Sequence, residues 1–250
     1  MEIITALILI ILAFICEYLD CSLGLGYGTI LAPLFLLFGI NPLISIPSIL
    51  ISQASAGFLA AFFHHKIGNA NFHPKHKDAK ITLIIIVASI ITSISTVFIA
   101  INIHQIYIEI YTGLLVVSMG IILLINRKFE FSWKKIIGTA ILTGINKSLS
   151  ASGNVVTSGL IISGNETKNS IAITSFGEAP ICICGFIMYI ILNGFLEPLF
   201  PIILTIGAVA ATPFGAIWTS KFNQNKARKF IGILTVILGI LTLIKLCVWF

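Results

Sequence analysis

The chain has 250 residues, 58% of them hydrophobic and only 10% charged, with a mean hydropathy of +1.08 and a formal net charge of +6. No soluble domain of this length hides so much apolar surface behind so few charges. The continuous apolar runs exclude a β-barrel, whose strands alternate, and leave an all-α polytopic membrane protein.

A spanning helix needs about 20 mostly apolar residues. Ten apolar segments follow one another, at 2–19, 26–40, 44–65, 79–101, 104–126, 133–149, 151–164, 168–192, 197–220 and 227–248. The first carries Glu2 and no basic residue ahead of its apolar run, and no A-x-A site follows, so it reads as a structural helix and not as a signal peptide. The stretch after it, EYLDCSLGLGYGTILAP (17–33), holds two acids and the alternating glycines Gly24, Gly26 and Gly28. A second polar, flexible stretch, GINKSLSASGN (144–154), lies between segments six and seven. Segments two and seven are short, and each opens directly from one of these stretches, so the chain makes eight to ten spans. Short, glycine-interrupted segments in matching places of two halves point to a transporter's binding site. Pro33, Pro47, Pro180 and Pro213 fall inside apolar segments, where each removes a backbone hydrogen bond and serves as a hinge or is simply tolerated.

The halves match. An offset of 125 places Gly28 on Gly153, Gly39 on Gly164, Ser45 on Ser170, Ala54 on Ala179 and Gln53 on Glu178. Later, YTGLLVVSMGIILLI (111–125) matches FIGILTVILGILTLI (230–244), with two glycines seven apart in each. This reads as a duplication, repeat one at 1–126 and repeat two at 127–250, together forming one transporter domain. Five segments per repeat is odd, so the repeats are inverted and the turns at 17–28 and 144–153 meet near mid-membrane.

Charge orients the chain. If all ten segments cross, the connectors after segments three, five, seven and nine hold thirteen of the fifteen basic residues. That face is cytoplasmic, in the plasma membrane, and both termini are outside. The basic residues set topology, so nucleic acid is not an expected partner. The partners expected are a small anionic substrate and the lipid bilayer, with a homodimer left open.

Segments two and seven begin near Gly28–Thr29 and Gly153–Asn154. A helix start has free N–H donors and partial positive charge, and two such starts facing one cavity make an anion site. The substrate-binding candidates are Gly26, Gly28, Thr29, Gln53, Asn146, Lys147, Ser148, Ser150, Ser152, Gly153, Asn154 and Glu178. Their hydroxyls and amides suit an oxyanion. Lys147 either attracts the anion or snorkels to the outer interface. Glu178, between Gly177 and Pro180, is an intramembrane acid and a candidate for proton transfer. Glu17 and Asp20 line an access or proton route, or are plain interface residues. Acids repel anions, and a proton-coupled cycle reconciles them with the site.

The histidines at 64, 65, 73 and 76 read as parts of a basic, solvated connector and not as a metal site. The five cysteines read as small packing residues. No cofactor fingerprint or catalytic triad appears, so no cofactor and no enzyme activity is expected.

LGLGYGTILAPLFLLFGINP (23–42), followed by HHKIG (64–68), resembles the first repeat of the TauE/SafE sulfite exporter family. TGINKSLSASGNVVTSGLIISG followed by FGEAP is similar to its second repeat, and ATPFGAIWTSKF (211–222) with KFIGILTVILG to its C-terminal pattern. The resemblance implies secondary, not ATP-driven, export of sulfite or small organosulfonates. The chain departs from the family's denser glycine run, with serine and asparagine prominent in the second repeat. A cation or metal carrier is the alternative suggested by the acids and histidines; a membrane thiol-redox protein is the alternative suggested by the cysteines.

Overall fold

The computed structural model describes residues 3–38, 40, 42–100, 105–125, 129–150, 153–194 and 198–248. Their regular secondary structure is helical, with no strand among them. The helices are α1 (Ile3–Leu23), α2 (Tyr27–Leu37), α3 (Pro42–Ile67), α4 (Lys77–Ala100), α5 (Gln105–Leu124), α6 (Trp133–Ser150), α7 (Asn154–Ile162), α8 (Thr167–Asn193), α9 (Leu199–Lys221) and α10 (Gln224–Val248). Among the described residues, α1, α3, α4, α8 and α9 are long and apolar enough to cross a bilayer, and Gly113–Leu124 is a shorter apolar helix. At 1.5 Å per residue, the 11 residues of α2 and the 9 of α7 reach only about 16 and 14 Å.

Each expected segment appears as a helix, but two boundaries move. The turn expected from Glu17 begins only at Gly24, so Glu17, Asp20 and Ser22 are helical and buried. The break falls where the backbone turns left-handed, at Gly24 (φ 67) and Gly26 (φ 83). Likewise α6 continues through Asn146, Lys147 and Ser148 to Ser150, and α7 starts at Asn154. Gly144 is therefore not a turn residue. It lets α6 lie against α4, where a Cβ would come within 2.9 Å of the Ser89 Cα.

The main helix pairs are α1 with α9, α4 with α6, α3 with α8 and α5 with α10; α3 also packs on α9 and α4 on α8. In the α5–α10 pair, Gly113 faces Gly239 and Gly120 faces Gly232, with carbonyl oxygens 3.0–3.4 Å from where a Cβ would stand. The glycine spacing repeated in the two sequences is thus also the means by which the two helices approach each other. Outward faces carry exposed apolar side chains, among them Ile4, Leu7, Ile11, Leu83, Val87, Ile91, Ile202, Ile206 and Phe214. Contiguous exposed apolar surface suits lipid and not water.

The connectors with the basic residues gather at one end. Asn169 Nδ2 donates to Asp78 Oδ2 at 2.9 Å, Lys168 Nζ to the Ser220 carbonyl at 2.8 Å, Ser132 N to the Ser163 carbonyl at 3.0 Å, and an Arg228 amino group to the Ile125 carbonyl at 2.7 Å. From the middle of the bundle α7 runs to this end. The other short helix, α2, runs to the opposite end, where Phe35 meets Phe200 at the start of α9 with ring centroids 5.3 Å apart.

Candidate functional site

The two chain breaks meet. A Cβ on Gly26 would stand 2.7 Å from Asn154 N and 2.8 Å from Gly153 N. Gly153 N donates to Thr29 Oγ1 at 3.2 Å, and a Cβ on Gly24 would collide with the Thr157 side chain. The starts of α2 and α7 therefore touch across positions where only glycine fits. Non-helical backbone inside a bilayer has to be enclosed by protein, and Leu23, Leu25, Tyr27, Val155 and Val156 here are all buried.

Beside this junction lies a buried polar network drawn from four helices. Gln53, midway along α3, is its hub. Its Nε2 donates to Asp20 Oδ2 of α1 at 3.1 Å and to Glu178 Oε2 of α8. Its Oε1 accepts from Lys147 Nζ of α6 at 2.8 Å and, at 3.6 Å, from the Cys182 thiol. Both amide hydrogens point at acids and the carbonyl at a base, so the amide has a single favourable orientation. Lys147 Nζ also lies 2.9 Å from Glu178 Oε2, in an ion pair whose side chains are only 2% and 1% exposed. A buried pair of this kind depends on further hydrogen bonds; Gln53 supplies one to each partner, while Glu178 Oε1 is left without one.

The network follows the 125-residue offset seen in the sequence. Gln53 and Glu178, the residues paired by the 125-residue offset, hydrogen-bond directly. Asp20 precedes the first residue of α2 by seven positions, and Lys147 precedes the first residue of α7 by the same seven. Each half thus contributes one residue before its short helix and one from its following long helix. The chemistry differs: acid and amide in the first half, base and acid in the second.

The helix starts are not vacant. Asp20 Oδ1 accepts from Gly26 N at 2.7 Å, so a carboxylate of the chain already caps the approach to α2. At the start of α7, a Cβ on Gly153 would collide with both Glu178 carboxyl oxygens. Each helix start carries its own carboxyl, in the position where a bound anion was expected.

Lys147 does not snorkel; it is buried in the middle of the protein. Glu17 and Asp20 are not interface residues: Glu17 is 2% and Asp20 6% exposed. Asn146 and Asn154 are buried, and Thr29 is nearly so. Ser148 faces away from the network, sharing a 2.6 Å hydrogen bond with Ser93 of α4. Ser152 lies outside the described residues, as does the side chain of Ser150. Gly28 sits in the first turn of α2. Thr157 and Thr174 bond each other at 2.8 Å, and Ser52 donates to the Tyr27 hydroxyl at 3.1 Å, which lines the junction with hydroxyls.

Two residues were not legible as site residues. Cys182 joins the network although its sequence context is plainly apolar; its place four residues after Glu178 on a helix was the available signal. His64 was placed in a solvated connector but is fully buried in the last turn of α3. Asn69 Nδ2 donates to His64 Nδ1 at 2.9 Å and to the Ala216 carbonyl at 2.8 Å. The imidazole hydrogen is then on Nε2 and points at Cys21 Sγ, 3.4 Å away, while the Cys21 thiol donates to the Thr212 carbonyl at 3.4 Å. An imidazole that donates to a thiol is not its base. This Cys–His–Asn chain ties α1, α3 and α9 together and does not activate a nucleophile. Among the described residues, no three His, Cys, Asp or Glu side chains group as a metal site would require, and Cys16, Cys21, Cys182 and Cys184 are free thiols.

A protein-family model described as Sulfite exporter TauE/SafE matches residues 9–242. No curated protein and no solved structure matches the chain.

Proposed function

The chain belongs to the TauE/SafE sulfite exporter family, a family of membrane transporters and not of enzymes, and from that premise we propose that it is a secondary carrier exporting a small sulfur oxyanion, sulfite or an organosulfonate. The observation that carries this reading is the buried Lys147 ammonium, held beside the junction of the α2 and α7 starts. A fixed cation, two convergent helix starts and the hydroxyls of Thr29, Thr157 and Thr174 together suit a tetrahedral or pyramidal anion.

Alternating access follows from the repeats as we read them, 1–126 and 127–250. Exchanging α1–α5 with α6–α10 turns the α1–α9 pair into α6–α4 and returns α3–α8 and α5–α10 to themselves. The short helices run from the junction to opposite ends, as an inverted repeat requires. Rocking one repeat against the other would open the junction to each side in turn. With the basic end in the cytoplasm of the cell, both termini are outside.

Reconstituted protein tests the cargo and the site together. Lys147→Ala should reduce sulfite flux at least tenfold, whereas Lys75→Ala, in the exposed basic connector, should leave it unchanged. Equal flux in the two variants removes Lys147 from the site. The excess of carboxyls around Lys147 favours a second reading, a cation as cargo. Uptake that follows an alkali or divalent cation and ignores sulfite would replace the first reading with it.

A further inference from the structure

The centre of the protein is short of positive charge. Lys147 shares it with three buried carboxyls, those of Glu17, Asp20 and Glu178. Asp20 is held by the Gly26 N–H and the Gln53 amide. Glu178 is held asymmetrically. Its Oε2 accepts from both Lys147 and Gln53, while its Oε1 is buried with no partner, against Gly153 at the start of α7. A buried carboxylate oxygen without a hydrogen-bond donor is costly, and Oε1 is therefore the place where a proton is best accommodated.

Charge counting then limits what the site can hold. The Lys147–Glu178 pair alone is neutral. Adding a monovalent anion by itself puts one more negative charge into a low dielectric that already holds the excess carboxyls, and adding a proton by itself takes Glu178 away as the counter-ion of Lys147. Adding both restores the original charge. Glu178, protonated on Oε1, releases the ammonium, whose N–H bond passes from Oε2 to an oxygen of the anion, and the new O–H is a donor on the same side. On release the proton returns to water and Oε2 takes back the ammonium.

We propose that Glu178 is the stand-in for the cargo in the empty carrier: its carboxylate occupies Lys147 until an oxyanion and a proton arrive together, so that each monovalent anion crosses with a proton. This rests on the anion-carrier reading above. The charged and titratable groups facing Glu178 are Lys147 from α6, Glu17 and Asp20 from α1, and the Cys182 thiol on its own helix. Two further bonds of charged groups to or from α8 lie at its basic end, where Asp78 of α4 accepts from Asn169 and Lys168 of α8 itself reaches Ser220 of α9. Glu17, whose Oε2 is also buried without a partner, is the competing proton site.

Radiolabelled sulfite uptake into proteoliposomes tests the coupling, at a pH where sulfite is bisulfite, with the potential clamped and protein-free vesicles subtracted. A cargo carrying one uncompensated charge changes its accumulation about tenfold per 59 mV; an anion carried with a proton does not respond to potential and is driven by an inward proton gradient. The wild type should show the second behaviour. Glu178→Gln, a permanently neutral stand-in, should lose the proton drive and become potential-sensitive, with uptake raised by an inside-positive potential. Glu17→Gln should keep the proton drive whatever its rate, and Lys75→Ala, in the exposed connector, should leave uptake unchanged. Wild-type uptake that follows potential and ignores the proton gradient overturns the proposal without reference to any variant. So does a Glu178→Gln protein that inserts and remains proton-driven, or one that inserts and no longer takes up sulfite. Loss of the proton drive in Glu17→Gln alone moves the proton site to Glu17 and overturns the assignment of Glu178. No wild-type sulfite uptake under any gradient overturns the anion-carrier reading, and the coupling falls with it.

Discussion

Gln53 is the residue on which the polar centre depends. It gives its two amide hydrogens to Asp20 and Glu178 and its carbonyl to Lys147 and Cys182, so every polar group of the side chain is in use. Gln53→Glu keeps the size but turns a donor toward two acids into a third acid. It should lower the melting temperature of the detergent-solubilised protein, by an amount matching about 1–3 kcal/mol, and the loss should shrink as the pH is lowered and the new carboxyl takes up a proton. Breaking the ion pair from one side, as in Lys147→Ala, should destabilise by about 3–5 kcal/mol. The double variant Lys147→Met with Glu178→Gln should recover much of that loss, because neither charge is then left alone in the interior. Paired melting curves distinguish a residue that holds the fold from one that only carries cargo. The sequence makes Gln53 and Glu178 visible, because a 125-residue offset aligns them, and an acid in an apolar run draws notice by its cost. It cannot show that they bond to each other, since positions matched by an offset need not lie near one another. His64 was misplaced because His65, Lys66 and the histidines that follow made the whole stretch look solvated, whereas the last turn of α3 still turns one face inward.

At the level of elements, the ten apolar segments reappear as ten helices because lipid leaves the backbone little choice. Their ends near the site were harder to read. Polar residues at 17, 20 and 146–148 resemble loop, yet Asp20 and Lys147 find buried partners in Gln53 and Glu178, Ser148 finds one in Ser93, and the helices continue past them. Only Gly24 and Gly26, with positive φ, stop α1. Gly26→Ala is expected to cost at least about 1–2 kcal/mol from its backbone angle alone, and its methyl would also press on the start of α7. Transport should fall further than stability, a difference that flux measured beside thermal melting resolves. A control is available in the α5–α10 pair. Gly113→Leu should splay those helices, since a Cβ there already comes 2.6 Å from the Leu243 side chain; it should lower the melting temperature with no change in the pH dependence of any remaining flux.

For the whole molecule, the gathering of the basic connectors at one end is the feature that both the charge count and the structure support. An epitope placed before Ile3 should be labelled on intact cells by an impermeant antibody, while one in the connector that includes Lys75 should need permeabilised membranes. The reverse pattern would invert the orientation but leave the site unchanged. If the halves are the inverted repeats proposed above, they differ in chemistry: Asp20 and Gln53 of the first meet Lys147 and Glu178 of the second. A carrier with identical halves would be a coin with matching faces, its inward- and outward-open forms equal in free energy by symmetry. Placing the base in one half and the amide in the other weights that coin. Under the alternating-access cycle proposed above, the empty protein would then have a side on which it waits, set by its own side chains before any gradient acts on it.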